Sequence, residues 1–300
     1  MQRIKLSDTL EISRIVHGMW RLSEWNMSSS EILNFVEQSI ELGVTTFDHA
    51  DIYGNYTCEK LFGKIFSKKP ALRKEIELIT KCGIKLISDK FPDTKLNHYD
   101  TSYNHIIKSV NQSLKNLKTD YIDLLLIHRP DPLMNPTEVV KAFNQLFKEG
   151  KVLNFGVSNF NPAQFEMLNH HFDGKLVTNQ LEISPYCLEH FTNNNIDFCL
   201  KEKVKPMAWS PLAGGMLMNP SDEKSKRIKV KLEQISKEIG LDRIDKLIYA
   251  WILKHPANIA PIIGSGKIER LKSATQAFEI KLTTEQWFEI FVASQGYPVP

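Results

Sequence analysis

Leu124-Leu125-Leu126-Ile127-His128-Arg129-Pro130 is a short apolar run that stops on an imidazole, a guanidinium and a proline. Similar runs occur twice upstream, in Thr46-Phe47-Asp48-His49-Ala50-Asp51-Ile52-Tyr53-Gly54 and in Ile79-Thr80-Lys81-Cys82-Gly83. Each reads as a strand, with a reactive side chain at its end or in the loop just beyond: Asp48 and Tyr53, Lys81, then His128. Consecutive strands marked in this way suit a barrel of parallel strands. There the carboxyl-terminal strand ends open onto one face, and chemistry gathers on it.

On either side of these runs strand and helix alternate. Residues 4–12 alternate around a polar turn and predict a small hairpin. Residues 15–19 follow as a strand. A helix then opens at Ser30 and Glu31, carries Ile32, Phe35, Val36 and Ile40 at helical spacing, and ends at Gly43. Further strands are expected at 44–47, 76–80, 121–127, 152–157, 176–181, 206–209 and 259–263. Helices are expected at 59–66, 103–117, 136–148, 162–168, about 195–203, 224–255 and 268–277, with one more at 283–293. About eight strand–helix units result, the number that closes a parallel barrel. An open doubly wound sheet also alternates, but it carries a G-x-G-x-x-G turn after an early strand, and Gly18-Met19-Trp20 is not one. The expectation is an α/β protein: a single (β/α)8 TIM barrel over residues 1–300, with an N-terminal β-hairpin and extra C-terminal helices. No Gly/Ser-rich or Pro-rich linker divides it.

The bulk numbers narrow the function. The 300 residues, 42% of them hydrophobic, can bury one large core. With 38 basic against 35 acidic residues the charge is near balance, and no nucleic-acid partner is expected. The basic stretch from Lys224 to Lys237 is interleaved with Ile228, Val230, Leu232 and Ile235 and reads as the solvated face of a helix. Cys58, Cys82, Cys187 and Cys199 are scattered without a C-x-x-C pair, which argues against a zinc site or disulfides and for a reducing cytoplasm; no metal is expected. The first residues lack the apolar core of a signal peptide, and no run is long enough to cross a bilayer.

Taken singly, Asp48, Tyr53, Lys81 and His128 each have an ordinary structural explanation; together at one end of consecutive strands they make a proton-transfer site. A tyrosine titrates near ~10 in water and is a poor acid at neutral pH. A buried ammonium beside it favours the phenolate and is expected to lower that value. Asp48 can keep Lys81 charged in an apolar surrounding where a lone ammonium would be costly. His128 can donate to a developing alkoxide. Such a site suits reduction of an aldehyde or ketone, given a source of hydride.

The chain resembles the aldo-keto reductases over nearly its full length, and within them the bacterial oxidoreductases of the YdhF type. The resemblance rests on Phe47-Asp48 with Tyr53-Gly54 behind it, Thr80-Lys81, the strand from Asp123 to His128, Gly156-Val157-Ser158-Asn159-Phe160, Gln180, Trp209-Ser210-Pro211-Leu212, and Gly264-Ser265 with Arg270. It implies an eight-stranded barrel that binds a nicotinamide cofactor without a separate dinucleotide domain. Asp48, Tyr53, Lys81 and His128 become its catalytic tetrad, with Tyr53 as general acid. Ser158, Asn159 and Gln180 would hold the carboxamide of the nicotinamide, Trp209 would stack on its ring, and Gly18, Met19 and Asp48 would touch the same end. Ser210, Pro211, Leu212 and Gly214 would line the pyrophosphate. Ser265, Lys267 and Arg270 would hold a 2′-phosphate, so NADPH/NADP+ is expected, with NADH weaker. Gly264 stands where many relatives carry a lysine, which narrows that margin.

His49 stands where the family usually has a small residue, and it reads as packing or as a hydrogen-bonding support for the tetrad. Gly214-Gly215 is a pliable loop over a cofactor or a surface turn. Trp20 and Trp25 are pocket walls or core aromatics; Arg129, the following Asp131-to-Met134 segment and Met216 would complete the pocket. With the chain ending soon after Tyr297-Pro298, no long carboxyl-terminal loop closes the site, and specificity is expected to be broad or set by the other loops. The expected partner is a small carbonyl compound, and the expected state a monomer or weak oligomer. A second reading, from a different class, is a nicotinamide-binding sensor or scaffold on the same barrel, with slow or vestigial turnover.

Overall fold

Strands β1 (Arg3–Lys5) and β2 (Glu11–Ser13) pair antiparallel with Ile4 opposite Ile12, the hairpin expected from the alternation. The computed structural model describes residues 2–300. Its further strands are β3 (Val16–Gly18), β4 (Thr46–Asp48), β5 (Glu77–Cys82), β6 (Ile84–Lys85), β7 (His98–Tyr99), β8 (Leu124–Ile127), β9 (Phe155–Ser158), β10 (Leu176–Glu182), β11 (Met207–Trp209) and β12 (Ala260–Ile263). Eight of them, β3, β4, β5, β8, β9, β10, β11 and β12, close a parallel barrel in chain order, as the strand–helix alternation requires. By packing, the chain falls into two compact units. One holds the residues up to 179 together with 264–268; the other holds 180–263 with 269–300. Among the described residues no helix is long and apolar enough to cross a membrane.

In the first unit the helices begin where side chains can satisfy their free N–H groups. Ser28 accepts from Glu31 N while Glu31 reaches back to Ser28 N, so the first helix runs Ser29–Glu41, one residue earlier than the periodicity suggests. Asn161 and Gln164 cap helix Pro162–His171 by the same reciprocal pair, while Ser102 and Asn135 cap Tyr103–Leu117 and Pro136–Lys148 by accepting from one backbone N–H each. Helix Cys58–Lys68 buries Phe62, Ile65 and Phe66 in one cluster with Met19, Phe47, Leu72 and Leu78. It lies so close to helix Tyr103–Leu117 that a Cβ at Gly63 would come 2.1 Å from Asn116 O, so only glycine fits there.

In the second unit the expected long helix over 224–255 is two helices, Glu223–Glu238 and Ile244–Leu253. Gly240 at φ 70° makes the break, and Leu241 N closes it by donating to Ser236 O at 2.7 Å. The first of the two buries Ile228, Leu232 and Ile235 and leaves its lysines outward, as the interleaving implied; Val230 falls on the exposed side. Trp251 and Trp287 stack at 4.8 Å and 7°, and each indole N–H donates to the other's carbonyl, at 3.1 and 3.0 Å. That pairing satisfies both polar handles and fixes helix Thr284–Gln295 on helix Ile244–Leu253. The sequence reading missed the β6–β7 ribbon, because strands of two residues carry no periodicity.

Candidate active site

The strand register sets the site in the first unit. Gly18 lies opposite Asp48, Asp48 opposite Ile79, and Lys81 opposite Leu126. The loops beyond the strands are tied to their neighbours' ends: Met19 N donates to Asp48 O, His49 N to Ile79 O, Asp51 N to Lys81 O and His128 N to Cys82 O, at 2.8 to 3.0 Å. Lys81 sits inside β5 rather than beyond it. Strand alternation sends Thr80 to Glu59 on the helix side, at 2.7 Å, and Lys81 to the opposite face.

The four residues converge. Lys81 Nζ, fully buried, donates to Asp48 Oδ2 at 2.7 Å, to His49 O at 2.8 Å and to Tyr53 Oη at 3.0 Å. Three acceptors satisfy the three donors of an ammonium, and the carboxylate supplies the opposite charge that burial demands. The Tyr53 ring meets His128 edge-on at 5.9 Å and 76°. Burial works against the Lys81 charge, but Asp48 and Tyr53 outweigh it and leave its pKa raised. For Tyr53, burial wins in the other direction: it raises the phenol above its ordinary value, while the Lys81 ammonium only tempers the rise. The expected net lowering of Tyr53 is therefore corrected. The ammonium does favour the phenolate, but desolvation is the larger effect, and the resting pair keeps both protons. Burial, then the charges of Lys81 and Arg129, drives His128 well below the usual imidazole range, so it stands neutral with Nδ1 unpaired among the described residues.

Around these four lies a second set of buried polar groups. His49 is fully buried against the edge of Phe62 at 4.5 Å, neither ring nitrogen has a hydrogen-bond partner among the described residues, and burial takes its pKa down to about 3. Its ring is packing; its backbone carbonyl is the group that holds Lys81. His17 Nε2 bonds Ser265 O at 3.0 Å, and its ring stacks on Trp25 at 5.8 Å. Asp51 accepts from Ser109 Oγ at 2.9 Å, and burial next to Glu59 raises its carboxyl to about 8. The contacts of His17 and Asp51 had no sequence signal, since each is made across elements.

The first unit holds further candidates. Asn159, at φ 61°, donates to Ser158 Oγ at 2.8 Å and to His128 O at 3.4 Å, which ties the end of β9 to the loop after β8. Gly264 faces Gly18 O at 3.9 Å from an ideal Cβ, Ser265 is held by His17, and Lys267 is exposed. Trp25 packs on His17, on Phe35 and over Gly266, where a Cβ would come within 2.7 Å of its ring; it stands here as a core aromatic. Trp20 is 56% exposed with the Arg21 guanidinium over its ring, and Arg129 is half-buried.

In the second unit Gln180 pairs with Met207 and Glu182 with Trp209 across β10 and β11. The chain then turns sharply. Ser210 (φ 49°), Ala213 (φ 51°), Gly214 (φ 65°) and Gly215 (φ 102°) are left-handed, Leu212 (φ −99°, ψ 16°) is not, and among the described residues nothing stands within 4 Å of where a Cβ would lie on either glycine. The turn is held by its own backbone: Ala213 N donates to Ser210 O, Gly215 N to Leu212 O and Met216 N to Ala213 O, at 2.8 to 3.1 Å. Pro211 is buried, Met216 half-buried, and Arg270 is exposed on helix Ile268–Gln276.

A family model described as the aldo/keto reductase family matches residues 14–292. The chain belongs to the aldo/keto reductase family. It is 53% identical to the oxidoreductase YcsN of Bacillus subtilis (strain 168) over the whole of both chains. It is 47% identical to the oxidoreductase YdhF of Escherichia coli (strain K12), covering 97% of this chain and 96% of that one, as the motifs indicated. A protein of Agrobacterium fabrum (strain C58 / ATCC 33970) named 6-dehydroglucose reductase is 42% identical over the full length of both. The crystal structure of the thermostable aldo-keto reductase Tm1743 with the inhibitor epalrestat has a TM-score of 0.82 at 26% identity, over 98% of this chain and 100% of that one. As an aldo/keto reductase the protein is an oxidoreductase. The four-residue cluster at its strand ends is the candidate seat of that chemistry.

Proposed function

We propose that the protein is an NADP(H)-dependent reductase of aldehydes and ketones in which Tyr53 donates the proton. The observation that carries this reading is the Lys81 hydrogen-bond set. A buried ammonium bonded at once to a carboxylate and to a phenol has few structural uses, and the pair it forms stores a proton on Tyr53 at neutral pH. A bound nicotinamide supplies the hydride. Tyr53 gives its proton to the carbonyl oxygen, Lys81 stabilises the phenolate left behind, and neutral His128 donates a hydrogen bond that orients the carbonyl and favours the alkoxide. Ser158, Asn159 and Gln180 are assigned to the carboxamide, Gly18, Met19 and Trp209 to the ring, Ser210 to Gly214 to the pyrophosphate, and Gly264, Ser265, Lys267 and Arg270 to the 2′-phosphate end. Trp20, Arg129 and Met216 are assigned to the substrate.

The likeness to the Agrobacterium enzyme extends the substrate class to oxidised sugars. The unbroken match over residues 14–292 supports one functional domain, and four free cysteines support the cytoplasm. The test is NADPH consumption with 4-nitrobenzaldehyde, methylglyoxal and 6-dehydroglucose, against Tyr53→Phe. Turnover that disappears in the variant is the expected result. Cofactor binding without turnover on any carbonyl would favour the sensor reading.

A further inference from the structure

Tyr53 opens a turn whose next three residues are all left-handed: Gly54 (φ 57°, ψ 41°), Asn55 (φ 51°, ψ 53°) and Tyr56 (φ 62°). Glycine adopts that backbone freely and asparagine tolerates it, but for tyrosine it is unfavourable, so surrounding structure must hold the run. On one side the turn is packed tight, since a Cβ at Gly54 would lie 2.6 Å from both Ser23 Oγ and Cys58 Sγ. On the other side it is gripped by residues 86–91, which lie between β6 and β7. Leu86 N donates to Tyr56 Oη at 2.9 Å, Asn55 Nδ2 to Asp89 Oδ1 at 3.1 Å, and Lys90 Nζ to Asn55 O at 2.6 Å. The rings of Tyr56 and Phe91 meet edge-on at 4.7 Å. The gripping segment is itself fastened, through the β6–β7 ladder, a bridge between Ser88 and Phe91, and Ile87 N donating to Asn97 Oδ1 at 2.7 Å.

We propose that Tyr56 and the 86–91 segment form a brace that positions the Tyr53 hydroxyl, with Tyr56 and Asp89 as its working side chains. The brace leaves β5 just past Lys81, so a single element sets both ends of the Lys81–Tyr53 hydrogen bond: the ammonium directly, and the phenol through Tyr56. The proposal rests on Tyr53 being the proton donor. A donor displaced by a fraction of an ångström still binds its neighbours but transfers its proton poorly.

Tyr56→Phe keeps the ring on Phe91 and deletes the acceptor of Leu86 N. Asp89→Ala, at an exposed site, deletes the Asn55 contact with no threat to folding. The expected result is a kcat lower by about tenfold to a hundredfold in Tyr56→Phe and less in Asp89→Ala, the scale of a misplaced reacting group, with KM and cofactor affinity unchanged. The alkaline limb of the kcat profile should also move up as Tyr53 loses the influence of Lys81. In a Tyr53→Phe background, Tyr56→Phe should add nothing, because no donor is left to position. Wild-type kcat in Tyr56→Phe, or losses that add in the double variant, would overturn the brace alone. Wild-type turnover in Tyr53→Phe would overturn the acid assignment and the brace with it.

Discussion

The tetrad and the segments assigned to the cofactor's phosphates are built on opposite principles. Every donor of Lys81 is spent: the ammonium is fully buried, three acceptors surround it, and the loop between Asp48 and Tyr53 is pinned to the β5 backbone. At Gly214 and Gly215 the backbone lies open where side chains would stand, and Lys267 and Arg270 are exposed. In the first region the charges are fixed before anything binds. Under the proposed assignment, the groups of the second wait for an anionic ligand. Chemistry needs charges fixed in advance, since reorganising them during the reaction raises the barrier. Binding needs only that the partner fit, and cations kept in water until then cost little.

The sharpest way to break this comparison is at the completed end. Tyr53→Phe keeps the ring and loses the proton, so kcat should fall by roughly two to four orders of magnitude while cofactor affinity holds. Retention of more than about a tenth of wild-type kcat, measured at saturating NADPH, would contradict the assignment. Next in size is the coupling of Asp48 and Lys81. If the carboxylate exists to hold the ammonium, Asp48→Asn and Lys81→Met should each be severe and the double variant little worse than either. Losses that add in free energy would return Asp48 to a structural role.

The open end should answer differently, by affinity rather than rate. Lys267 and Arg270 flank the start of helix Ile268–Gln276, where a dianion is favoured by backbone N–H groups and can be gripped bidentately by arginine. Arg270→Ala should weaken NADPH by about 1.5–3 kcal/mol and leave NADH almost unchanged, read by quenching of tryptophan fluorescence. Equal dissociation constants for the two cofactors in the wild type would show that no phosphate is read there.

The two ends were also unequally legible in the sequence. Asp48, Tyr53, Lys81 and His128 stood out because strand ends are marked by apolar runs, and a parallel barrel brings such ends to one face whatever the helices do. The strand order followed from the same rule. The break at Gly240 was hidden, because both helices share an apolar period and one glycine is tolerated within a helix. The direction of the Tyr53 shift was misjudged, because sequence names the neighbouring charge but not the depth of burial that outweighs it. The carbonyl of His49, the anchor of Asp51 on Ser109 and the grip of Leu86 on Tyr56 left no trace, since each is a contact across elements.

The smallest predicted effect lies in the buried groups behind the tetrad, and it concerns stability against pH. Folded His49 holds a proton only below about 3, whereas the free imidazole does so below 6.5. Between those values the unfolded chain binds more protons, so stability contributed by neutral His49 is present above 6.5 and lost as pH falls. Asp51 has the opposite sign. Folded, it keeps its proton up to about 8 against 3.8 for the free carboxyl, so its contribution is present in acid and lost as pH rises through that window. The two oppose each other between about 4 and 6.5, and only Asp51 acts from there to about 8. Asp51→Asn, which can still accept from Ser109, should therefore gain melting temperature relative to wild type as pH rises from 6.5 to 8. His49→Leu, which removes two ring nitrogens without partners among the described residues, should cost little at neutral pH and gain melting temperature relative to wild type as pH falls below 6.5. Melting curves for the wild type and both variants at pH 5, 6.5 and 8 decide it. A difference between Asp51→Asn and wild type that does not grow above 6.5 would mean that Asp51 is ionised in the folded protein, and that the loop carrying Tyr53 holds a second negative charge beside Lys81.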